Sequence, residues 1–235
     1  MKTIQVDMIE KYVGETVRDP YGRTIGKLVG FYSEVDGTVT AIEVAKGDLG
    51  FETISAARVD ITPDGIVVLP EWKTEALSLA RQIERAKKRA KALEDLYSRN
   101  EIPRYAYEEF KKKLEHTMSK LKSKSQEVKA LLRKRIGELE DETIHIEKAL
   151  TAVKMSYIAG EMSEKAYKLA AETLRSARDK NLDEKNDAKK MLEKIIKLEE
   201  EPVQLKVEEK EEQPEPAVEP PAAEEPPVIV QVLEG

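Results

Sequence analysis

Between residues 12 and 47 the chain reads YVGETVRDPYGRTIGKLVGFYSEVDGTVTAIEVAKG. Short β-branched runs alternate in this segment with turn signals, of which Asp19-Pro20-Tyr21-Gly22 and Asp36-Gly37 are the clearest. An Asp-Gly pair between two such runs predicts a hairpin, because glycine adopts the positive φ that a tight turn needs. The β-like pattern extends from about Val6 to Leu69. It predicts five or six strands that form a small barrel or a curled sheet.

The same segment resembles a PRC-barrel domain. In that family a G-x-x-V-x-D-x-x-G-x-x-I-G opening leads through a hairpin to a D-G-x-V turn. The residues that match this pattern are Gly14, Val17, Asp19, Gly22, Ile25, Gly26, Asp36, Gly37 and Val39. The resemblance implies a small all-β, PRC-barrel-like domain over residues 1–70. It implies little about function, because such domains are adaptors fused to many different partners.

From residue 72 to about residue 200 the apolar spacing changes from strand-like to helical. A first seam follows alternating steps of four and three: Trp72, Ala76, Leu79, Ile83, Ala86, Ala90, Leu93 and Tyr97. A longer seam follows on a central helix: Tyr107, Phe110, Leu114, Met118, Leu121, Ser125, Val128, Leu132, Ile136, Leu139, Thr143, Ile146, Leu150, Val153 and Tyr157. A third helix starts near Ser163 and carries Tyr167, Ala170, Leu174, Ala177, Met191, Ile195 and Leu198. Such a/d patterns are typical of coiled-coil helices.

An internal repeat marks the two corners between these helices. Residues 97–103 read YSRNEIP and are followed by Tyr107, and residues 157–163 read YIAGEMS and are followed by Tyr167. An aromatic residue on each side of a short polar turn is typical of a helical hairpin whose corner is fixed by packing. The sequence therefore predicts a multi-domain α+β protein in which a three-helix antiparallel coiled-coil rod spans residues 72–200.

The last part of the chain changes in composition twice. Residues 201–225 are rich in Pro and Glu and predict a disordered, extended linker. Residues 226–235 contain a β-branched run with alternating side chains, Val228, Ile229, Val230, Gln231, Val232 and Leu233, and Pro226 and Pro227 precede it and pre-extend the chain. A lone strand needs the edge of a sheet, so we predict β-strand addition to a partner protein. The alternative is that the run folds back onto the chain's own barrel.

Groups that could perform catalysis are scarce in the sequence. There is no cysteine, and His116 and His145 have no partner at ligand spacing, so both are predicted to be exposed helix residues. No nucleophile elbow, phosphate loop or metalloprotease motif occurs, and Gly22, Gly26 and Gly30 are interpreted as turn and bulge glycines. We predict a protein that is not an enzyme and binds neither metal nor cofactor. The absence of a signal peptide and of an 18-residue apolar run predicts a cytoplasmic location.

One half of the predicted rod is strongly basic. The residues that we select as a candidate surface for DNA phosphates or anionic lipid headgroups are Lys87, Lys88, Lys111, Lys112, Lys113, Lys120, Lys122, Lys124, Arg133, Lys134 and Arg135. The alternative is a solvated coiled-coil face, or one that pairs with acidic faces of neighbouring subunits.

The order of barrel, charged rod, Pro/Glu linker and terminal strand resembles the CdvA family of archaeal cell-division proteins over essentially the full length. The closest segments are DGTVTAIEVAKG (36–47), LPEWKTEA (69–76), ALEDLYSRNEIP (92–103) and MSYIAGEM (155–162). The resemblance implies filaments at a membrane-proximal division site at mid-cell. It also implies that residues 226–233 insert as a strand into the winged-helix-like domain of the ESCRT-III homologue CdvB, which brings CdvB to the inner face of the membrane.

Two other functions remain open at this stage. DNA association is a property of the family, so a nucleoid-associated DNA-binding filament is the principal alternative. An RNA-processing adaptor, a role of some other PRC-type barrels, would leave both the rod and the terminal strand unexplained.

Overall fold

The structure is a computed structural model that describes residues 3–47 and 50–200. A sheet domain is followed by long helices, which confirms the predicted order of a β domain and a helical part. The elements, in chain order, are α1 Val6–Ile9, β1 Thr16–Arg18, β2 Thr24–Ser33, β3 Val39–Ala45, β4 Phe51–Ser55, β5 Val59–Thr62, β6 Gly65–Val68, α2 Glu71–Ser98, α3 Arg104–Ile158 and α4 Glu164–Glu200. Short 3₁₀ turns occupy Glu10–Tyr12 and Ala56–Arg58.

The six strands form one sheet in the order β4-β3-β2-β1-β6-β5. Neighbouring strands are antiparallel except β1 and β6, which pair in parallel where Arg18 lies opposite Val67. The predicted Asp36-Gly37 hairpin joins β2 to β3. There the Asp36 carboxylate accepts the backbone N–H of Thr38 at 2.8 Å, and Gly37 has a φ of 80°. Within residues 3–47 and 50–200, no ladder joins the two edge strands β4 and β5.

The prediction of an all-β domain is wrong at its beginning, where residues 6–12 form helical turns. Ile9 is fully buried, and Val6, Met8 and Tyr12 pack partly buried against the sheet. Because Val6, Ile9 and Tyr12 are three residues apart, a helical turn places all three on one side. The apolar residues that we interpreted as the start of a β pattern are therefore the buried side of a short helical segment.

The three long helices are connected by tight corners and run antiparallel in sequence order. Lys124 of α3 forms an ion pair with Glu75 of α2 at 3.2 Å, and Tyr107 donates to Glu94 at 2.6 Å. α2 therefore lies along the first half of α3. α4 lies along the second half of α3, where Asn181 Nδ2 of α4 donates a hydrogen bond to Glu142 Oε2 of α3 at 3.0 Å. With 55 residues, α3 is about 80 Å long.

The apolar seams explain most of the helical packing. Of the seam residues predicted for α2, all but Tyr97 are buried. A helical core joins residues from all three long helices: Trp72, Ala76, Leu79, Ile83, Ala86, Leu121, Val128, Leu132, Ala188 and Ile195. On α3 the predicted seam is buried mainly in its middle, and Phe110 and Tyr157 near its ends are exposed. Burial of one such Leu or Ile side chain stabilises the fold by about 1.5–3 kcal/mol.

The two repeated corners have the same geometry. The Tyr97 and Tyr107 rings stack with centroids 4.2 Å apart, and the Tyr157 and Tyr167 rings stack at 4.5 Å. This confirms the predicted aromatic packing at each corner. The turns themselves are Schellman motifs: the backbone N–H of Glu161 donates to the carbonyl of Ser156, as Glu101 does to Leu96 in the other copy.

Each corner needs one residue in the left-handed conformation, and the two copies use different residues. Gly160 has a φ of 75° and the equivalent Asn100 has a φ of 56°. Asparagine tolerates this conformation and alanine does not. We expect Gly160→Ala to lower the free energy of unfolding in urea by about 1–2 kcal/mol, whereas Asn100→Gly should not lower it. Equal stability of Gly160→Ala and the wild type would show that the corner can relax.

Candidate functional site

The turn between β1 and β2 projects from the sheet domain toward the helices. The Asp19 carboxylate accepts the backbone N–H groups of Tyr21 and Arg23 at 2.9 and 2.8 Å, and Gly22 has a φ of 77°. This Asx-type bonding fixes the loop. It presents the Tyr21 and Arg23 side chains to α4, where the carbonyl of Lys180 accepts a hydrogen bond from Arg23 at 3.2 Å.

Glu184 of α4 is the centre of the contact. Its side chain is 2 % exposed and its carboxylate accepts four hydrogen bonds from three residues, one each on α2, on α3 and in the β1–β2 turn. Trp72 of α2 donates through Nε1 at 3.0 Å, and Arg135 of α3 donates through Nε at 2.9 Å and Nη2 at 3.0 Å. Arg23 donates the fourth through Nη1. One carboxylate therefore connects the sheet domain to all three long helices.

The charge state of Glu184 follows from these contacts. Burial alone raises the pKa of this carboxyl group, since the charged form loses its hydration. The hydrogen bonds from Arg135, Arg23 and Trp72 outweigh burial and lower the pKa to about 2. The group is ionised at neutral pH. The pKa of the Arg135 guanidinium is raised, mainly by its hydrogen bonds to Glu184.

A second polar contact lies beside the first. The Tyr21 hydroxyl donates to Asp187 Oδ2 at 2.6 Å, and Lys73 of α2 donates to the same oxygen at 2.5 Å. Burial, followed by the hydrogen bond to Asp187, raises the pKa of Tyr21 well above its usual range. Lys180 of α4 donates to the carbonyl of Gly22 at 3.2 Å. We refer to the turn Asp19–Arg23 together with the residues that surround Glu184 and Asp187, namely Trp72, Lys73, Arg135, Lys180 and Asn181, as the domain junction.

The sequence contained a signal for the domain junction that we did not use. Our α4 seam stopped at Ala177 and resumed at Met191, although Asn181, Glu184 and Ala188 continue it in steps of four, three and four. All three are buried. Two polar residues at buried seam positions indicate a specific polar partner, because an unpaired buried charge is costly.

The domain junction also changes the predicted basic surface. The Arg135 side chain is 25 % exposed and contacts Glu138 and Glu142 in addition to Glu184. Because these carboxylates occupy its guanidinium, Arg135 is less available to DNA or lipid than the other residues that we selected.

The other predicted basic residues lie on the outside of α2 and α3. Lys88, Lys112, Lys113, Lys120, Lys122, Arg133 and Lys134 are exposed, and Lys87, Lys111 and Lys124 are half-buried. Lys113 pairs with Glu109 at 2.5 Å and Lys124 pairs with Glu75. Lys111, Lys122 and Arg133 are eleven residues apart, which is close to three helical turns, so they form one row along α3.

Other expectations concern metal sites, membrane spans and the C-terminal residues. His116 and His145 are exposed on α3, as predicted. In the part of the chain that the structure describes, no cluster of three or more His, Asp or Glu could hold a metal ion. None of the helices described there has an apolar stretch sufficient to cross a bilayer. The predicted linker 201–225 and partner-binding segment 226–235 lie outside the described residues.

Comparison with known proteins identifies the family. The model of the CdvA-like coiled-coil domain matches residues 71–217, which is more than half of the chain. The chain belongs to the CdvA-like family. It is also 41 % identical over 203 residues to Cell division protein A of Sulfolobus acidocaldarius, a match that covers 86 % of this chain and 85 % of that protein. No solved structure gives a significant match.

Membership of the CdvA-like family agrees with the resemblance seen in the sequence. The matched region includes the three long helices and therefore Trp72, Arg135 and Glu184. The 203-residue match is longer than the helical part that the structure describes. The similarity to the Sulfolobus protein therefore extends beyond that part.

Proposed function

We propose that this chain is a non-enzymatic scaffold of archaeal cell division that assembles with copies of itself and recruits the ESCRT-III homologue CdvB. The observation that carries this proposal is the 41 % identity, over most of both chains, to a protein named for cell division. The described residues also support it. They form long helices, and the buried charges of the domain junction bind the sheet domain to these helices. Such an arrangement suits a structural role at the division site.

The recruiting element that we propose is the segment Pro226–Leu233. In an extended conformation Val228, Val230 and Val232 lie on one side, and Ile229, Gln231 and Leu233 on the other. Main-chain hydrogen bonds to a sheet edge of CdvB provide affinity, and pockets for one set of side chains provide specificity.

Calorimetric titration of a synthetic Glu219–Gly235 peptide into the C-terminal domain of CdvB tests this recruitment. We expect binding that Val230→Asp weakens at least tenfold, because a carboxylate in an apolar pocket loses its hydration. Gln231→Asp places the same charge on the opposite side of the strand and should change the affinity far less. In the full chain, deletion of 226–235 should abolish CdvB capture and preserve self-assembly. A wild-type peptide that does not bind would exclude this mode of recruitment.

A DNA-binding filament is the second candidate, and the row of Lys111, Lys122 and Arg133 is the observation that favours it. A row of cations along a helix can neutralise phosphates without reading base sequence. Direct contact of the same row with anionic lipid on the inner membrane face is governed by the same electrostatics.

Reversal of the three charges in the row tests the DNA candidate. In the triple variant Lys111→Glu, Lys122→Glu and Arg133→Glu, we expect weaker binding to duplex DNA. The slope of log affinity against log salt should become shallower by about 0.9 for each phosphate that the variant no longer neutralises. The control reverses Lys165, Lys168 and Lys190, three exposed lysines of α4. If the two triple variants bind DNA with equal affinity, the row of Lys111, Lys122 and Arg133 is not a DNA-binding surface and serves only as a solvated helix face.

A further inference from the structure

A second seam, apolar at three of its five positions, lies on the distal half of α3, separate from the seam that packs against α4. Its positions are Ile144, Lys148, Thr151, Met155 and Ile158, which follow steps of four, three, four and three. That spacing is the a/d pattern of a coiled coil. The three large apolar side chains of the seam are 50 %, 64 % and 73 % exposed, in chain order. We refer to these five residues as the distal seam.

No described helix covers the distal seam. α2 ends beside the first turns of α3, where Tyr97 stacks on Tyr107, and Trp72 in its first turn shares the Glu184 carboxylate with Arg135 of α3. α2 therefore does not reach residue 144. α4 packs on the other seam of α3, which includes the buried Leu139 and Thr143. An open groove remains on α3, lined by Ile144, Glu147, Lys148, Thr151, Ala152 and Met155.

We propose that the distal seam binds the distal seam of a second copy of this chain, with the two α3 helices antiparallel. The proposal rests on the proposed self-assembly and names one of its contacts. In an antiparallel coiled coil, a-type positions face d-type positions. Ile144 then lies against Met155 of the second copy, and Lys148 lies against Thr151. Ile158, the fifth position, lies opposite residue 141 and outside these layers. Because the contact is two-fold symmetric, each of these layers occurs twice.

The charges beside the seam favour this partner and this direction. Glu147 and Lys154 occupy equivalent flanking positions, seven residues apart. The antiparallel arrangement brings Glu147 of each copy close to Lys154 of the other, which gives two interchain ion pairs. A parallel arrangement would instead place Lys148 against Lys148 of the second copy. A polar residue at one seam position specifies orientation in this way, at some cost in affinity.

Disulfide cross-linking tests the contact in the full chain, which has no native cysteine. Ile144→Cys and Met155→Cys each place a cysteine at an exposed position. The two variant proteins are prepared separately, and each is then oxidised alone and in a mixture with the other. We expect covalent dimers only in the mixture. In the antiparallel dimer, two copies of the same position are eleven residues apart, about 16 Å along the helix. A disulfide needs Cα atoms within about 7 Å.

Each outcome of the cross-linking has a fixed meaning. Dimers from each variant alone, and none between the two variants, would indicate parallel helices and overturn the proposal. A wild-type chain that assembles, together with no cross-link in any sample, would overturn the distal contact and leave the proposed scaffold standing. A wild-type chain that stays monomeric at every concentration would contradict both.

Charge exchange provides an independent measurement. Glu147→Lys and Lys154→Glu alone should each raise the dimer dissociation constant about tenfold in sedimentation equilibrium, because two attractive pairs become repulsive. The double variant Glu147→Lys/Lys154→Glu should recover the wild-type constant. Failure of the double variant to recover it would contradict the pairing.

Discussion

Replacing Glu184 with alanine is expected to lower the free energy of unfolding by about 3 kcal/mol. The substitution removes a carboxylate that accepts four hydrogen bonds and leaves Arg135 and Arg23 without their shared partner. This loss of stability is at the lower end of the range of about 3–5 kcal/mol that is typical of a broken buried ion pair. Each arginine keeps another carboxylate, which is Glu138 for Arg135 and Asp19 for Arg23.

Glu138→Ala is the matched control for this substitution. Glu138 pairs with the same guanidinium, at 3.2 Å, but its side chain is 45 % exposed. Exposed pairs contribute less than about 1 kcal/mol. Chemical denaturation of both variants gives the comparison. Equal losses would show that the domain junction contributes no more than a surface ion pair.

The pH dependence of stability separates the charge of Glu184 from its packing. The pKa of Glu184 is about 2 in the folded protein, below its ordinary value of 4.5. The ionised form therefore contributes stability that is fully present above about pH 5 and is lost as the pH falls toward 2. The shift corresponds to roughly 3 kcal/mol. In Glu184→Gln, the deficit relative to the wild type should be largest near pH 7 and should shrink below pH 4.5.

The helical part was predictable because its signals are local and periodic. The a/d spacing from Trp72 to Leu93 correctly predicted a buried helix face, and the repeated tyrosines predicted the corners. Periodicity alone does not state which positions of a seam a neighbouring helix covers. α2 lies along this stretch of α3, and yet the predicted seam residue Phe110 is exposed.

The domain junction was less predictable, because it depends on residues that are far apart in the chain. Arg23 and Glu184 are separated by 161 positions, and neither belongs to a short motif that requires the other. Arg135 sits in a basic run, where composition suggests a nucleic-acid surface. Only the fold shows that its guanidinium faces a buried carboxylate. Local spacing could still have identified Glu184 as a charged residue within an apolar seam.

The glycines in β2 and in the turn before it show the same difference between local and non-local information. Gly22 and Gly30 fit the interpretation as turn and bulge residues, since the pairing of β2 with β3 shifts register between Leu28 and Gly30. The interpretation of Gly26 as a turn or bulge glycine was incomplete. A Cβ added there would lie 2.2 Å from the carbonyl oxygen of Ala45 in β3.

Gly26→Ala is therefore expected to destabilise the sheet domain by about 3 kcal/mol or to displace β3 from β2. The atom in the way is a backbone oxygen, which cannot rotate aside as a side chain could. Gly30→Ala is the matched control in the same strand, because no atom lies within 4 Å of its added Cβ. Amide hydrogen exchange in β3 would report the displacement directly. Slow exchange in Gly26→Ala, equal to that of Gly30→Ala, would mean that β2 and β3 shift together without loss of pairing. The sheet would then accommodate a Cβ at position 26, and the close approach of β2 to β3 would not require glycine there.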